Sequence, residues 1–233
     1  MMHKKQVICL ANSRKLNGRC IAGVELVAGN TYRWVRPVSS TPGGEIPTPD
    51  ATYAGGVPIE LMDIFEVTLS SPSPKSYQSE NWQIAQGVPW KRVGRVKIAA
   101  ISDIVSNNSS LWLNGQSSGS GENDRMTEAD ATAVQDSLQL IQVNNLLLKL
   151  VEVYKDHSVN LRACFEYKST SYSLRVTDPF IEKSFGDKVK GSYHVGGAYL
   201  TISLGEPFRG HVYKLVAAVI PIPISETESA WRS

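Results

Sequence analysis

The sequence predicts a mainly β protein made of two small β-barrels in tandem, joined by a short helix. Three observations carry that reading. Short runs rich in Val, Ile, Leu, Tyr and Phe recur in both halves of the 233-residue chain, each bounded by Gly, Pro, Asn or Ser, the pattern of half-buried strands. A helix-start signature stands between the halves. About five short strands in each half suit a small closed barrel.

The first strands fall at residues 6–10, 20–27 and 31–35, the last two joined by Ala28-Gly29-Asn30, a turn that favours a hairpin. Residues 39–58 gather four prolines and four glycines, Pro42, Gly43, Gly44, Pro47, Pro49, Gly55, Gly56 and Pro58, and read as a long ordered loop or insertion. The strand pattern resumes at 61–70, where Leu61, Asp63, Phe65, Val67 and Leu69 form the mostly buried set. Residues 71–94 are polar but hold Tyr77, Trp82 and Trp90, so this stretch is expected against the body. A fifth strand is expected near 92–99, and 96–105 is an apolar segment with weak helical character at its end.

Residues 114–123, NGQSSGSGEN, are low in complexity and are expected to form a flexible, protease-sensitive loop. Thr127-Glu128-Ala129-Asp130 resembles a capping box, and a helix is expected from Glu128 to Leu140. Strands follow at 146–154, 160–168, 172–177, 198–204 and 212–220, with Ser169-Thr170-Ser171 turning one into the next. The domains expected are residues 1–125, a connector over 126–144, and 145–233.

Several function classes are set aside by composition. The longest apolar run, Leu215 to Ile220, is far short of the roughly 20 residues that cross a bilayer. The basic start lacks a secretory pattern, so no membrane association and a cytoplasmic location are expected. Cys9, Cys20 and Cys164 match no zinc or redox spacing, and His3, His157, His194 and His211 are scattered; no metal and no cofactor are expected. Nucleophile-elbow, zincin and dinucleotide-binding motifs are missing, and no catalytic residue is assigned.

Charge is the strongest functional signal. Between Met1 and Pro37 stand Lys4, Lys5, Arg14, Lys15, Arg19, Arg33 and Arg36 against the single acid Glu25, a surplus of six in a chain whose net charge is only +2. Segregated charge of this kind attracts an anion. Asn12, Ser13, Arg14 and Lys15 end the first strand, where amide, hydroxyl and cation can grip a phosphate or a carboxylate; a solvated turn is the plain alternative. Tyr32, Trp34 and Arg36 alternate along a strand and so share a face. That row can stack bases and pair with a nucleic-acid backbone, or Trp34 can sit in the core with Arg36 across its edge. Arg175 shares a face with Thr177 before Asp178-Pro179, where Asp178 is either a ligand acceptor or a cap. Glu206 follows the next long strand, with Arg209 and Lys214 near it as internal partners.

The blocks ICLANSRKLNGRCIAGVEL and RWVRPVS, then LRVTDP, then LTISLGEPF and YKLVAAVI, occur in this order. Taken together they resemble the bacterial dual OB-fold domain family over nearly the whole chain. The resemblance implies two tandem OB-like barrels acting in nucleic-acid or nucleotide recognition, with some members linked to prokaryotic defence or repair systems. It supplies no catalytic residues.

The leading expectation is a module for single-stranded nucleic acid or RNA. Arg14, Lys15, Arg19 and Arg36 would meet phosphates while Trp34 or Tyr32 stacks a base. The alternative is an enzyme or sensor for a nucleotide or small anionic ligand, gripped by Asn12, Ser13 and Arg14 between the barrels with Asp178 or Glu206 moving a proton. A third is a scaffold whose basic face meets an acidic protein. The full set of expected ligand-binding residues is Asn12, Ser13, Arg14, Lys15, Arg19, Trp34, Arg36, Arg175, Asp178 and Glu206.

Overall fold

A computed structural model describes residues 1–27, 31–152 and 159–223. Among these residues, thirteen strands and two short α-helices follow in order. They are β1 (His3–Lys15), β2 (Gly18–Val27), β3 (Thr31–Val38), β4 (Ile46–Pro47), β5 (Asp63–Pro72), β6 (Asn81–Ile84) and β7 (Lys91–Arg95), then a 3-10 helix (Ile98–Ile104), β8 (Arg125–Thr127) and α1 (Glu128–Ala131). The second half holds β9 (Leu138–Glu152), β10 (Val159–Tyr167), β11 (Thr170–Val176), α2 (Pro179–Ser184), β12 (Gly191–Leu204) and β13 (His211–Pro221).

Each half closes a five-stranded ring with the same pairing logic. In the first, β1 pairs β2, β2 pairs β3, β3 runs parallel to β6, and β5 joins β6 back to β1. In the second, β9, β10, β11, β13 and β12 repeat that circuit, again with one parallel seam, between β11 and β13. The two barrels read from the sequence are therefore both present.

Alternation decides what fills them. Val7, Cys9, Ile21, Val35, Phe65, Val67 and Leu69 point into the first barrel, and the insertion between β3 and β5 adds Ile46, Ala51, Tyr53 and Ile59 to the same core. Helix α2 occupies the equivalent place between β11 and β12. In the second barrel Ile141, Leu161, Phe165, Tyr172, Leu174, Leu200 and Val216 do the filling.

Two expectations are corrected here. Thr127 does cap a helix, its hydroxyl accepting from the Asp130 amide at 3.0 Å, but the helix stops at Ala131. From Leu138 the chain is strand, with Leu138 and Leu140 on one face and Ile141 and Val143 on the other, all buried. A strand buried on both faces reads as a continuous apolar run, which periodicity cannot tell from a helix. The turn expected at Ala28-Gly29-Asn30, and the end of the strand expected at 146–154, lie outside the described residues. The hairpin between β10 and β11 turns at Lys168 and Ser169, both at positive φ, 50° and 61°, the two-residue geometry that suits the twist of the flanking strands.

The Ser/Gly stretch at 114–123 is the second correction, because hydrogen bonds fasten it over the outside of β10 and β11. Glu122 exchanges backbone bonds with Ser173, and the Asn123 amide donates to Ser171 O at 3.0 Å. Behind it, Asp124 accepts from the Ser118 amide at 2.7 Å and from Arg162 Nη2 at 2.8 Å, both charges buried. A Cβ on Gly121 would fall against both the Asp124 carboxylate and the Arg162 guanidinium. Gly121→Ala should therefore split a buried pair, lower stability by about 3 kcal/mol in chemical denaturation, and expose 114–123 to protease that leaves the parent chain intact.

Lys214 lies under the same segment, 1% exposed, donating to Asn114 Oδ1 at 2.7 Å. Burial pushes its ammonium down from 10.5 to about 8, against the charge of Asp124. Below pH 8 the fold carries the full cost of a buried cation. Between about pH 8 and 10.5 the folded chain sheds this proton while the unfolded chain keeps it, so stability should rise with pH by about 3 kcal/mol relative to Lys214→Met. Denaturation curves of the two proteins across that window check the difference.

Candidate nucleic-acid interface

The barrels meet along one seam, built from the outer faces of β1, β2 and β3 and those of β9, β12 and β13. Leu10, Val24 and Met62 pack there against Leu140, Tyr199 and Ile220, and Ala11 and Ala22 against Leu138 and Ala217. Tyr32 and Trp34 alternate with the inward Val35 as expected, but the face they share is this seam. They pack against the second barrel, so the open stacking row read from the sequence does not form there. Sequence could not supply that, because an outward strand face looks the same whether water or a second barrel covers it.

Arg36 follows them into the seam. It is 2% exposed, with Nη2 at 3.0 Å from Glu80 Oε1 and 2.9 Å from Ser137 Oγ. Three more of the seven N-terminal cations have carboxylate partners. Arg14 holds Glu182 of α2 through two bonds of 2.8 and 3.2 Å, Lys15 holds Glu206 at 3.0 Å, and Lys5 holds Glu25. Glu206 also meets Lys75 at 3.0 Å; although burial opposes ionisation, the two lysines outweigh it and keep this carboxyl below its ordinary range. Much of the N-terminal charge is thus committed to acids far away in sequence. Among the described residues Lys4, Arg19 and Arg33 have no carboxylate within 4.0 Å.

Successive residues of β1 point to opposite sides, so Asn12 and Ser13 open onto two different clefts. The smaller, about 320 Å³, takes in Ser13, Arg14, Lys15, Arg36 and Glu206. The larger, about 640 Å³, takes in Asn12, Arg19 and Asp178, and adds Arg95, Phe180 and Lys183. Trp34 and Arg175 line neither; Arg175 lies on β11 opposite Arg162. The expected site is therefore divided.

Asp178 caps α2, one oxygen accepting from the Phe180 and Ile181 amides at 3.0 and 3.3 Å and the other from the Val219 amide at 3.2 Å. Burial pushes its carboxyl above the usual range, and those three amides hold the rise back. Asp178 and Glu206 face different clefts and do not form one catalytic pair. Among the described residues, no three His, Cys, Asp or Glu side chains gather as a metal site, and no helix is long and apolar enough to cross a membrane.

With two rings of the same circuit fused along one seam, the family question has a definite answer. A family model for a dual OB-containing domain matches residues 5–219. The chain belongs to that family. None of the curated proteins matches it.

OB folds take oligonucleotides and oligosaccharides on the face of their second and third strands and on the loops beside it. In this dual OB chain the first barrel has spent that face on the second barrel. In the second barrel the corresponding β10–β11 face is crossed by the segment ending at Asp124. The larger junction cleft is open, lined by Arg19, Arg95 and Lys183 and by the acids Glu60 and Asp178, of which Glu60 is paired with Arg95. Phe180 stands at its rim, 78% exposed on the first turn of α2, with Lys183 one helical turn along and Arg19 on the facing strand. Sequence reading missed Phe180, Lys183 and Arg95. The signal was the Asp178-Pro179 cap, since of the adjacent Phe180 and Ile181 only one can turn toward the barrel, and Ile181 does.

Burial separates structural from binding charge. Arg36→Ala would leave Glu80 buried without its cation and should cost about 3–5 kcal/mol, whereas Arg14→Ala at the half-exposed pair with Glu182 should cost under about 1 kcal/mol. Urea denaturation of both variants, with Arg36→Met/Glu80→Leu as the restored apolar pair, measures the contrast.

Proposed function

We propose that this dual OB chain binds single-stranded nucleic acid in the larger junction cleft. Phosphates meet Arg19 and Lys183, with Arg95 behind them, and a base stacks on Phe180. The observation that carries the reading is an exposed aromatic ring beside two cations that, among the described residues, have no acidic partner. A large ring left in water gains nothing for the fold, whereas a nucleobase covers it at a gain of about 1–3 kcal/mol. The cleft volume, about 640 Å³, suits one or two nucleotides. Arg95 is shared with Glu60 and Asp63, at 2.8 and 3.0 Å, so it shapes the wall more than it supplies free charge.

Salt tests this directly. Each phosphate neutralised on a single strand contributes about −0.7 to the slope of log affinity against log salt. Arg19→Ala and Lys183→Ala should each flatten the slope by about that amount, and Phe180→Ala should weaken binding by about 1–3 kcal/mol without changing it. Fluorescence anisotropy with labelled oligonucleotides of DNA and RNA reads both quantities; affinity that ignores salt, or variants that bind like the parent, overturn the assignment. A second reading places a small anionic ligand in the smaller cleft, favoured because that cleft joins Ser13–Lys15 to Glu206 across the barrels. Its cations are already paired, which weighs against it. Stabilisation by a mononucleotide that Lys15→Ala abolishes would bring it forward.

A further inference from the structure

Lys214 is a buried cation with little to hold it. It lies on β13, 1% exposed, and among the described residues no carboxylate comes within 4.0 Å of its Nζ. Among the same residues the one hydrogen bond of Nζ goes to Asn114 Oδ1, at 2.7 Å, and the ring centroid of Tyr172 stands 5.4 Å away. A single acceptor and an aromatic face do not replace the water that an ammonium gives up on burial. Turning that nitrogen into a neutral amide removes the penalty, and Asn114 offers the carbonyl carbon for it.

Both partners are held in place. The Lys214 amide donates to the Asp124 carbonyl at 2.8 Å, tying β13 to the end of the Ser/Gly segment. Within the segment Gln116 bridges to Arg125, the Asn123 amide donates to Ser117 Oγ at 3.0 Å, and the Ser118 amide donates to Asp124 Oδ1 at 2.7 Å. Asn114 Cγ is one bond of about 1.2 Å beyond the oxygen that Nζ touches, so the two atoms are under about 4 Å apart, close to a near-attack distance.

Burial lowers the Lys214 ammonium to about 8 against the charge of Asp124, so part of the amine is neutral, and nucleophilic, at neutral pH. The Asp124 carboxylate is itself engaged by Ser118 and Arg162 and acts on the lysine as a field, not as a proton carrier. An Asn before Gly is otherwise open to attack by the following backbone nitrogen, which closes a cyclic imide. Here the Gly115 N–H donates to Asn123 Oδ1 at 2.8 Å and its φ is 100°, so that nitrogen is held in a different bond. The lysine is the better placed nucleophile.

We propose that Lys214 and Asn114 join in an isopeptide bond that the folded chain makes by itself. The neutral Lys214 amine adds to Asn114 Cγ, the Nζ–Cγ bond forms, the Cγ–Nδ2 bond breaks, and a proton from Nζ passes to Nδ2. Ammonia leaves, and no oxidant or other co-reactant is consumed. Asn114 is exposed, which gives the ammonia a direct exit. The product fastens the Ser/Gly segment to β13 between residues 100 apart in sequence. Titration of Lys214 then belongs to the unlinked chain alone.

Intact mass of the full chain, incubated at mildly alkaline pH either folded or unfolded in urea, reads the reaction. The folded parent should become one ammonia lighter than its sequence, and the urea sample should not. Lys214→Met and Asn114→Ala should both keep their full mass; Asn114→Ala, at an exposed position, serves as the control even if Lys214→Met fails to fold. Tryptic digestion of the folded parent should yield a branched peptide that carries residues 114 and 214 together and survives hydroxylamine. The linked parent should also lose the alkaline titration of Lys214. An unchanged mass in the folded parent, deamidation of Asn114 with no branch, an ammonia loss that persists in Asn114→Ala, or a product that hydroxylamine cleaves after Asn114, as it would an imide with Gly115, overturns the assignment.

Discussion

Burial of one barrel's outer strand face against the other's is the constraint on which the rest of this molecule depends. A closed barrel fills its inside with alternate residues and normally gives the intervening residues to water. Here the intervening residues Leu10, Val24 and Trp34 on one side, and Leu138, Leu140, Tyr199 and Ile220 on the other, are apolar and meet. Removing that surface from water fuses the barrels into one body. It also covers the outer face of the first barrel's second and third strands and leaves two clefts flanking β1.

The seam sets the electrostatics as well. Where the apolar contact ends, cations from the N-terminal third meet acids from elsewhere: Arg36 with Glu80, Arg14 with Glu182, Lys15 with Glu206. Arg14–Glu182 and Lys15–Glu206 reach across to the second barrel from partly exposed positions. Of these three pairs only Arg36–Glu80 is fully buried, and it lies within the first barrel, where each charge loses in desolvation most of what it gains in attraction. Arg162 and Asp124 act alike in the second barrel, fixing the Ser/Gly segment over β10 and β11. What remains for an anion to find is the charge no acid has claimed, and Arg19 and Lys183 share one cleft with an exposed Phe180.

Much of this was legible beforehand, and the reasons differ by residue. Phe65, Val67 and Leu69 alternate so plainly that their strand and its buried face follow from period alone. The Thr127 cap was legible because it is made within four residues, as was the cap reading of Asp178. The length of the first helix was not, since Leu138 and Leu140 are held in a strand by pairing with Ser203 and Thr201 of β12, far along the sequence, and covered by the first barrel. The ten expected ligand residues were not separable by spacing: Asn12, Arg19 and Asp178 line one cleft, Ser13, Arg14, Lys15, Arg36 and Glu206 another, and Trp34 and Arg175 neither.

By itself, then, the sequence determined the class of fold, the number of barrels, the order of the strands and the excess of cations near the start. Those properties are local: period, turn chemistry and composition act over a few residues. Only the tertiary structure decided which cations are spent on acids, which aromatic rings pack along the seam and which, like Phe180, stand in water. Whether Arg36 or Arg19 is free depends on what a distant strand brings within a few ångströms, and no spacing along the chain records that distance.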